Sequence, residues 1–169
     1  VNKKVAGAIN KVEREIFCPY ENTKKFCYLN TSLFFDKNSC VSSPGIVGLM
    51  INQVVDNIEK PRRILEIGVG SGYHACCMSQ YYENEIIFHG IDINDEYLSL
   101  GQKNIQHTGL KNITLYNNYN KIKNSNHKYD VIYYTAALTE FPSEIIKLLN
   151  PNGLLQIIAP ISFEEYETE

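Results

Sequence analysis

The chain has 169 residues, 44% of them hydrophobic, which is enough for one domain with a sizeable core and too little for two. Its 16 Lys and Arg against 19 Asp and Glu leave a formal charge of −3, so it offers no general attraction to nucleic acid or to an anionic membrane. No run approaches the roughly 18 apolar residues of a membrane span, and no signal-peptide core follows Val1-Asn-Lys-Lys4, so a soluble, cytoplasmic protein is expected.

From the N-terminus, Val5, Ala8, Ile9, Val12 and Ile16 keep a three-to-four-residue spacing that predicts a helix over 4–17. Pro19 ends it and pushes Cys18 toward an extended conformation. Residues 20–43 show no period, and so long an irregular segment in a small domain is more often functional than average. Ser43 can cap a helix that starts at Pro44, with a packing stripe of Ile46, Val47, Met50, Ile51, Val54 and Val55. After Pro61, Ile64, Leu65 and Ile67 read as a short buried strand, followed at once by Gly68, Gly70 and Gly72 and by a helix from 73 to about 82. A second strand over 86–91 ends at Asp92. Asn94 or Asp95 then starts a helix over 96–107, with Gly109 beyond its end. A strand over 113–116, a polar loop over 117–128 and a strand over 129–134 follow. After Pro142 a helix over 143–149 carries Ile145, Ile146, Leu148 and Leu149, Asn150-Pro-Asn-Gly153 makes a turn, and a fifth strand spans 154–158.

Strands alternating with helices at about 25-residue spacing predict right-handed βαβ units and an α/β, doubly wound, mostly parallel sheet. Ligands in such sheets bind at the carboxyl ends of the strands, where the strand order reverses. The glycine loop, Asp92, the 117–120 loop and residues 135–138 all fall at that rim. Strand, glycine turn and helix let a cofactor come close to the backbone. The dinucleotide pattern G-x-G-x-x-G fails, since its third glycine would fall at Tyr73, and no Lys-Ser or Lys-Thr pair marks a phosphate loop. Asp92, 20 residues after Gly72, can accept hydrogen bonds from ribose hydroxyls. Glu66 reads as a backbone and cofactor-site hydrogen-bonding group. Histidines 74, 89, 107 and 127 are scattered, so no metal site is expected. Cysteines 18, 27, 40, 76 and 77 form no C-x-x-C pair, and their odd number favours reduced thiols, with Cys76 and Cys77 packing against the sheet.

Several motifs at characteristic spacing then carry a resemblance. Arg14-Glu-Ile-Phe-Cys-Pro19 is similar to an R-x-x-F-V-P segment, Tyr28 to the tyrosine of a Y-x-D segment, and Val41-Ser-Ser-Pro44 to I-S-x-P. Leu65-Glu-Ile-Gly-Val-Gly-Ser-Gly-Tyr73 differs from the matching cofactor loop only in Val69, where threonine is usual. Tyr129-Asp-Val-Ile132, Ala136-Ala137, Pro142, Leu149-Asn-Pro-Asn-Gly153 and Ala159-Pro160 complete it. Over about residues 5–161 the chain resembles the protein-L-isoaspartate O-methyltransferases, Rossmann-like enzymes dependent on S-adenosylmethionine. The glycine loop alone would say only methyltransferase, and the I-S-x-P element ahead of it points to this family.

The resemblance implies that Glu66, Gly68, Val69, Gly70, Ser71 and Gly72 surround the methionine part of S-adenosylmethionine, that Asp92 holds its ribose and that Ile93 lies against its adenine. Asn118 and Tyr119 would take the adenine-side place of a G-D-G. Ser42 would be the catalytic-site hydroxyl facing the isoaspartyl group. The implied reaction methylates the free α-carboxylate of isoaspartyl residues in damaged proteins or peptides, by a monomer without metal, nucleic acid or membrane partners. Residues 1–43 would form the N-terminal helix and substrate-side segment, 44–161 the cofactor-binding core and 162–169 an acidic tail. The departures are Asn118-Tyr119-Asn120 for G-D-G, Asn30 for an aspartate, Ser32 for a proline, Cys40 for a threonine, and the lack of the family's last two strands, as in a truncated or partly ordered chain. Asn30 and Cys40 keep another acceptor open, and the Asn118–Asn120 replacement keeps open a cofactor-binding homologue without turnover.

Overall fold

The computed structural model describes residues 2–37, 39–136, 138 and 143–158. Helix α1 (Lys3–Asn10) is capped by the Asn2 side chain. It stops well before the predicted 17, because the chain turns into a separate 3₁₀ turn at Arg14–Phe17. A second 3₁₀ turn spans Glu21–Phe26. The periodless segment then makes a small antiparallel hairpin, β1 (Leu33–Phe34) with β2 (Cys40–Val41). The sequence predicts reduced cysteines, but Cys18 and Cys27 are joined in a disulfide. The two 3₁₀ turns bring residues nine apart to a Cα separation of 6.8 Å, a proximity that spacing alone does not announce. Cys40, Cys76 and Cys77 are free thiols.

Helix α2 (Pro44–Asn57) starts as predicted, with Ser43 Oγ accepting from the Ile46 amide. Val47, Met50, Ile51 and Val54 face the core, while Ile46 points out. The main sheet holds β3 (Arg63–Ile67), β4 (Ile87–Ile91), β5 (Ile113–Tyr116), β6 (Tyr129–Tyr134) and β7 (Leu149–Gln156) in the order β5-β4-β3-β6-β7, every neighbouring pair parallel. Helices α3 (Tyr73–Tyr81) and α4 (Asp95–Thr108) pack with α1 and α2 into one apolar layer. Helices α5 (Tyr119–Lys123) and α6 (Ser143–Ile146) cover the other face through Ile122, Ile145 and Leu148.

Two local differences from the sequence reading have simple causes. The polar 117–128 stretch contains α5, nucleated by the Asn118 side chain on the Asn120 amide and anchored by buried Ile122. The last helix ends at Ile146, and Leu149 already pairs with Tyr129, so Asn150–Gly153 bulges out within β7 instead of preceding it. Ala137, Pro142, Ala159, Pro160 and the 162–169 tail lie outside the described residues. Among the described residues no helix is long and apolar enough to cross a membrane.

Strand order reverses between β3 and β6, so the carboxyl ends of these two strands flank the switch point of the doubly wound sheet.

Candidate active site

The loop after β3 is shaped by its own backbone. Gly68 has φ +90°, and a Cβ there would stand 2.7 Å from Ala136 Cβ, so this position excludes any side chain. The Gly68 and Val69 amides donate to Ile91 O at 2.8 and 3.1 Å, tying the loop to the end of β4. Asp92 completes the tie: its Oδ2 accepts from the Gly70 amide at 2.8 Å and its Oδ1 from the Asn94 amide at 2.9 Å. Each oxygen keeps acceptor capacity for a further donor. Gly101 of α4 lets the loop lie on that helix, since a Cβ there would meet Gly70 O at 2.6 Å.

Beneath the loop lies a fully buried carboxyl, Glu66. Its Oε2 accepts from Tyr133 Oη at 2.9 Å, and its Oε1 lies 3.0 Å from Thr135 Oγ1. Thr135 Oγ1 is also 2.6 Å from Gly68 O. A hydroxyl has one hydrogen, and if it goes to the closer Gly68 carbonyl, Oε1 bonds Thr135 only by carrying a proton itself. Burial pushes the Glu66 pKa up to about 8, the hydrogen bonds from Tyr133 and Thr135 opposing the rise and the Asp92 charge adding to it. His74, in the first turn of α3, stands over Glu66 with Nδ1 3.9 Å from Oε1 and its ring edge-on to Tyr133. Burial holds it neutral, its pKa lowered to about 3.

The opposite wall comes from the segment ahead of α2. Arg14 is buried, has no carboxylate partner among the described residues and instead gathers main-chain carbonyls. Nη1 donates to Cys27 O at 2.6 Å, and Nη2 to Thr31 O and Ser42 O at 2.9 Å each, with longer bonds to Leu29 O and Val41 O. Five carbonyl dipoles replace water around the guanidinium, and the Tyr73 ring lies 5.3 Å from Cζ. Asn30 Oδ1 accepts from the Gly45 amide at 2.8 Å in the first turn of α2, a task for which an amide oxygen serves as well as a carboxylate. Tyr97 of α4 donates from its hydroxyl to Asp36, closing the segment onto the core.

Between the walls is a cavity of about 620 Å³ lined by Ser42, Glu66, Gly68, Val69, Gly70, Ser71, Asp92 and Ile93 among others. The volume suits a nucleoside-sized ligand with room for part of a second molecule. The family model of protein-L-isoaspartate(D-aspartate) O-methyltransferase matches residues 1–168. The chain belongs to this family. Protein-L-isoaspartate O-methyltransferases of Fervidobacterium nodosum and Ignicoccus hospitalis are 31% and 30% identical to it, over 93% and 92% of this chain and 78% and 72% of theirs. A Plasmodium falciparum protein described as a protein-L-isoaspartate O-methyltransferase, solved with S-adenosyl-L-homocysteine, superposes with a TM-score of 0.81 at 20% identity. That match covers 96% of this chain and 78% of that one, and it establishes the shared Rossmann-like methyltransferase fold.

In this member of the isoaspartate methyltransferase family, ten residues expected at the cofactor and one at the acceptor divide clearly. Ser42, Glu66, Gly68 to Ser71, Asp92 and Ile93 come together around this cavity, whereas Gly72 does not line it and sits against Ile105 and Gly101 of α4. Asn118 and Tyr119 do not line it: Asn118 caps α5, and the Tyr119 hydroxyl donates to Glu144 O on the far face. Sequence reasoning missed His74, Tyr97 and Asn94 as lining residues, while Thr135, expected at the rim, does line the cavity. Each lies within a few residues of a strand's carboxyl end or in the first helical turn after it, which is the signal that finds them. Arg14 appears in the sequence only as part of a motif, and nothing in that motif announces its five acceptors.

Proposed function

We propose that the chain transfers a methyl group from S-adenosylmethionine to the free α-carboxylate of L-isoaspartyl residues in damaged proteins or peptides. The observation that carries this reading is one cavity with the glycine loop and Asp92 on one side and Ser42 on the other. The donor set fits the cofactor. Asp92 offers acceptor capacity to ribose hydroxyls, and Ile93, 95% exposed at the rim, offers an apolar side chain to a flat ring. When bound, the cofactor supplies an electrophilic methyl on a sulfonium.

The acceptor carboxylate is already ionised at neutral pH, so the chain needs no general base. Its task is to align oxygen, carbon and sulfur and to exclude water. Ser42 positions the acceptor by its hydroxyl, and Arg14 holds the Ser42 main chain in place. The methyl ester formed can collapse to a succinimide, the adjacent amide nitrogen displacing methanol, and the ring reopens with water as aspartate or isoaspartate. A monomeric, cytoplasmic enzyme completes the reading, in keeping with the family resemblance.

Incubation with methyl-labelled S-adenosylmethionine and matched aspartyl and isoaspartyl peptides tests this. Base-labile label on the isoaspartyl peptide alone is the expected result, and equal labelling of both peptides, or of neither, overturns the acceptor assignment.

A further inference from the structure

One group in the cavity has no role in the alignment just described. His74 is only 5% exposed and lines the cavity, yet among the described residues neither Nδ1 nor Nε2 has a hydrogen-bond partner. A neutral imidazole carries one N–H and one lone pair, and leaving both unpaired in a buried place is costly unless a ligand or water completes them. Its surroundings favour a donor over an acceptor. Glu66 Oε1 is 3.9 Å from Nδ1, and Thr135 Oγ1, 3.0 Å from that carboxyl oxygen, lies in turn within hydrogen-bond distance of two further acceptors, Gly68 O and Ile67 O. An anion placed there would face a carboxyl and two carbonyls, whereas a cation with several hydrogens could use Nδ1 and Oε1 together. On the methyl-donor reading, with Asp92 toward the ribose, the Glu66 and His74 end of the cavity would take the amino-acid portion of the donor.

We propose that His74 is a cofactor-contacting residue whose Nδ1 accepts a hydrogen bond from the α-ammonium group of S-adenosylmethionine, beside Glu66. The proposal rests on the methyl-donor reading above. The low pKa of the ring keeps the lone pair available at neutral pH. Arrival of a cation also favours the ionised form of Glu66, so the floor of the cavity becomes a stronger acceptor as it fills.

Calorimetry with three probes tests it: S-adenosylhomocysteine, its decarboxylated analogue S-adenosyl-3-thiopropylamine, and 5′-methylthioadenosine, which lacks the amino-acid end. His74→Leu should weaken the first two by about tenfold or more and leave the third unchanged. His74→Asn, which returns an acceptor near the Nδ1 position, should restore most of the loss. Equal weakening of all three probes would mean that His74 only packs against Tyr133, and an effect lost with the decarboxylated analogue would mean that it serves the carboxylate. Either result, or no effect at all, overturns the proposal. If His74→Leu does not fold, the wild-type protein with ¹⁵N-labelled histidine gives the same reading. The His74 Nδ1 resonance should move with S-adenosylhomocysteine and not with methylthioadenosine, and an unmoved resonance rejects the contact. Wild-type protein that binds none of the three probes sinks the methyl-donor reading and this inference with it, an outcome distinct from intact binding that ignores His74.

Discussion

The two walls of the cavity are built by different means. On the cofactor side, position is set by main-chain geometry: Gly68 at positive φ, amides of 68 and 69 on Ile91 O, and Asp92 gripping the Gly70 amide. On the side that carries Ser42 the described residues show little regular structure, two 3₁₀ turns and a hairpin of two two-residue strands, and a single guanidinium gathers five carbonyls from Cys27 to Ser42. A wall made by backbone resists most side-chain changes and fails where a glycine is lost. A wall made by one side chain fails when that side chain goes.

Each wall can be disrupted on its own. The largest effect is expected from Gly68→Ala, where a Cβ meets Ala136 in a region of φ that penalises alanine; a cost of about 3 kcal/mol or more should abolish measurable S-adenosylhomocysteine binding by calorimetry. Next, Arg14→Met leaves buried carbonyls without a donor and should cost about 3 kcal/mol in denaturant unfolding. In the folded fraction KM for an isoaspartyl peptide should rise while affinity for S-adenosylhomocysteine stays close to wild type. A matching loss of cofactor affinity would show that the walls are not independent.

Opening the Cys18–Cys27 bridge by a paired substitution to serine should cost about 2–3 kcal/mol, the loop entropy of a nine-residue separation. Like the Arg14 variant, it should act on peptide KM and not on cofactor binding.

The smallest effect lies in the pH dependence of stability. Glu66 titrates near 8 in the fold instead of 4.5, so the native state keeps a proton that the unfolded chain loses, and its contribution is full below 4.5 and lost as pH rises to 8. His74, lowered from 6.5 to about 3, works in the opposite sense: its contribution is full above 6.5 and lost as pH falls to 3. The two slopes offset each other between 4.5 and 6.5. Between pH 6.5 and 8 Glu66 acts alone of this pair, and wild type should lose about 2 kcal/mol that Glu66→Gln does not. Urea denaturation of both proteins across that window measures it, and parallel curves would show that Glu66 is ionised in the fold.

The elements of the sheet were legible because they are periodic or punctuated. The strands over 113–116 and 129–134 fall where the apolar runs place them, and Ser43-Pro44 and Gly109 mark helix ends by backbone chemistry that any neighbour would leave unchanged. The α1 break at Asn10, the hairpin over 33–41 and the α5 turn were not legible, since short elements owe their existence to what they pack on.

The sequence by itself determined the doubly wound α/β class, the glycine loop and the family, because close main-chain approach and strand-to-helix alternation leave residue patterns that do not depend on distant contacts. Only the tertiary structure decided that Arg14 anchors the wall that carries Ser42, that Cys18 meets Cys27, that Asn118 and Tyr119 stand away from the cavity and that His74 lines it with both nitrogens unpaired among the described residues. Each of these depends on which groups from remote parts of the chain exclude water together, and no local pattern of residues encodes that.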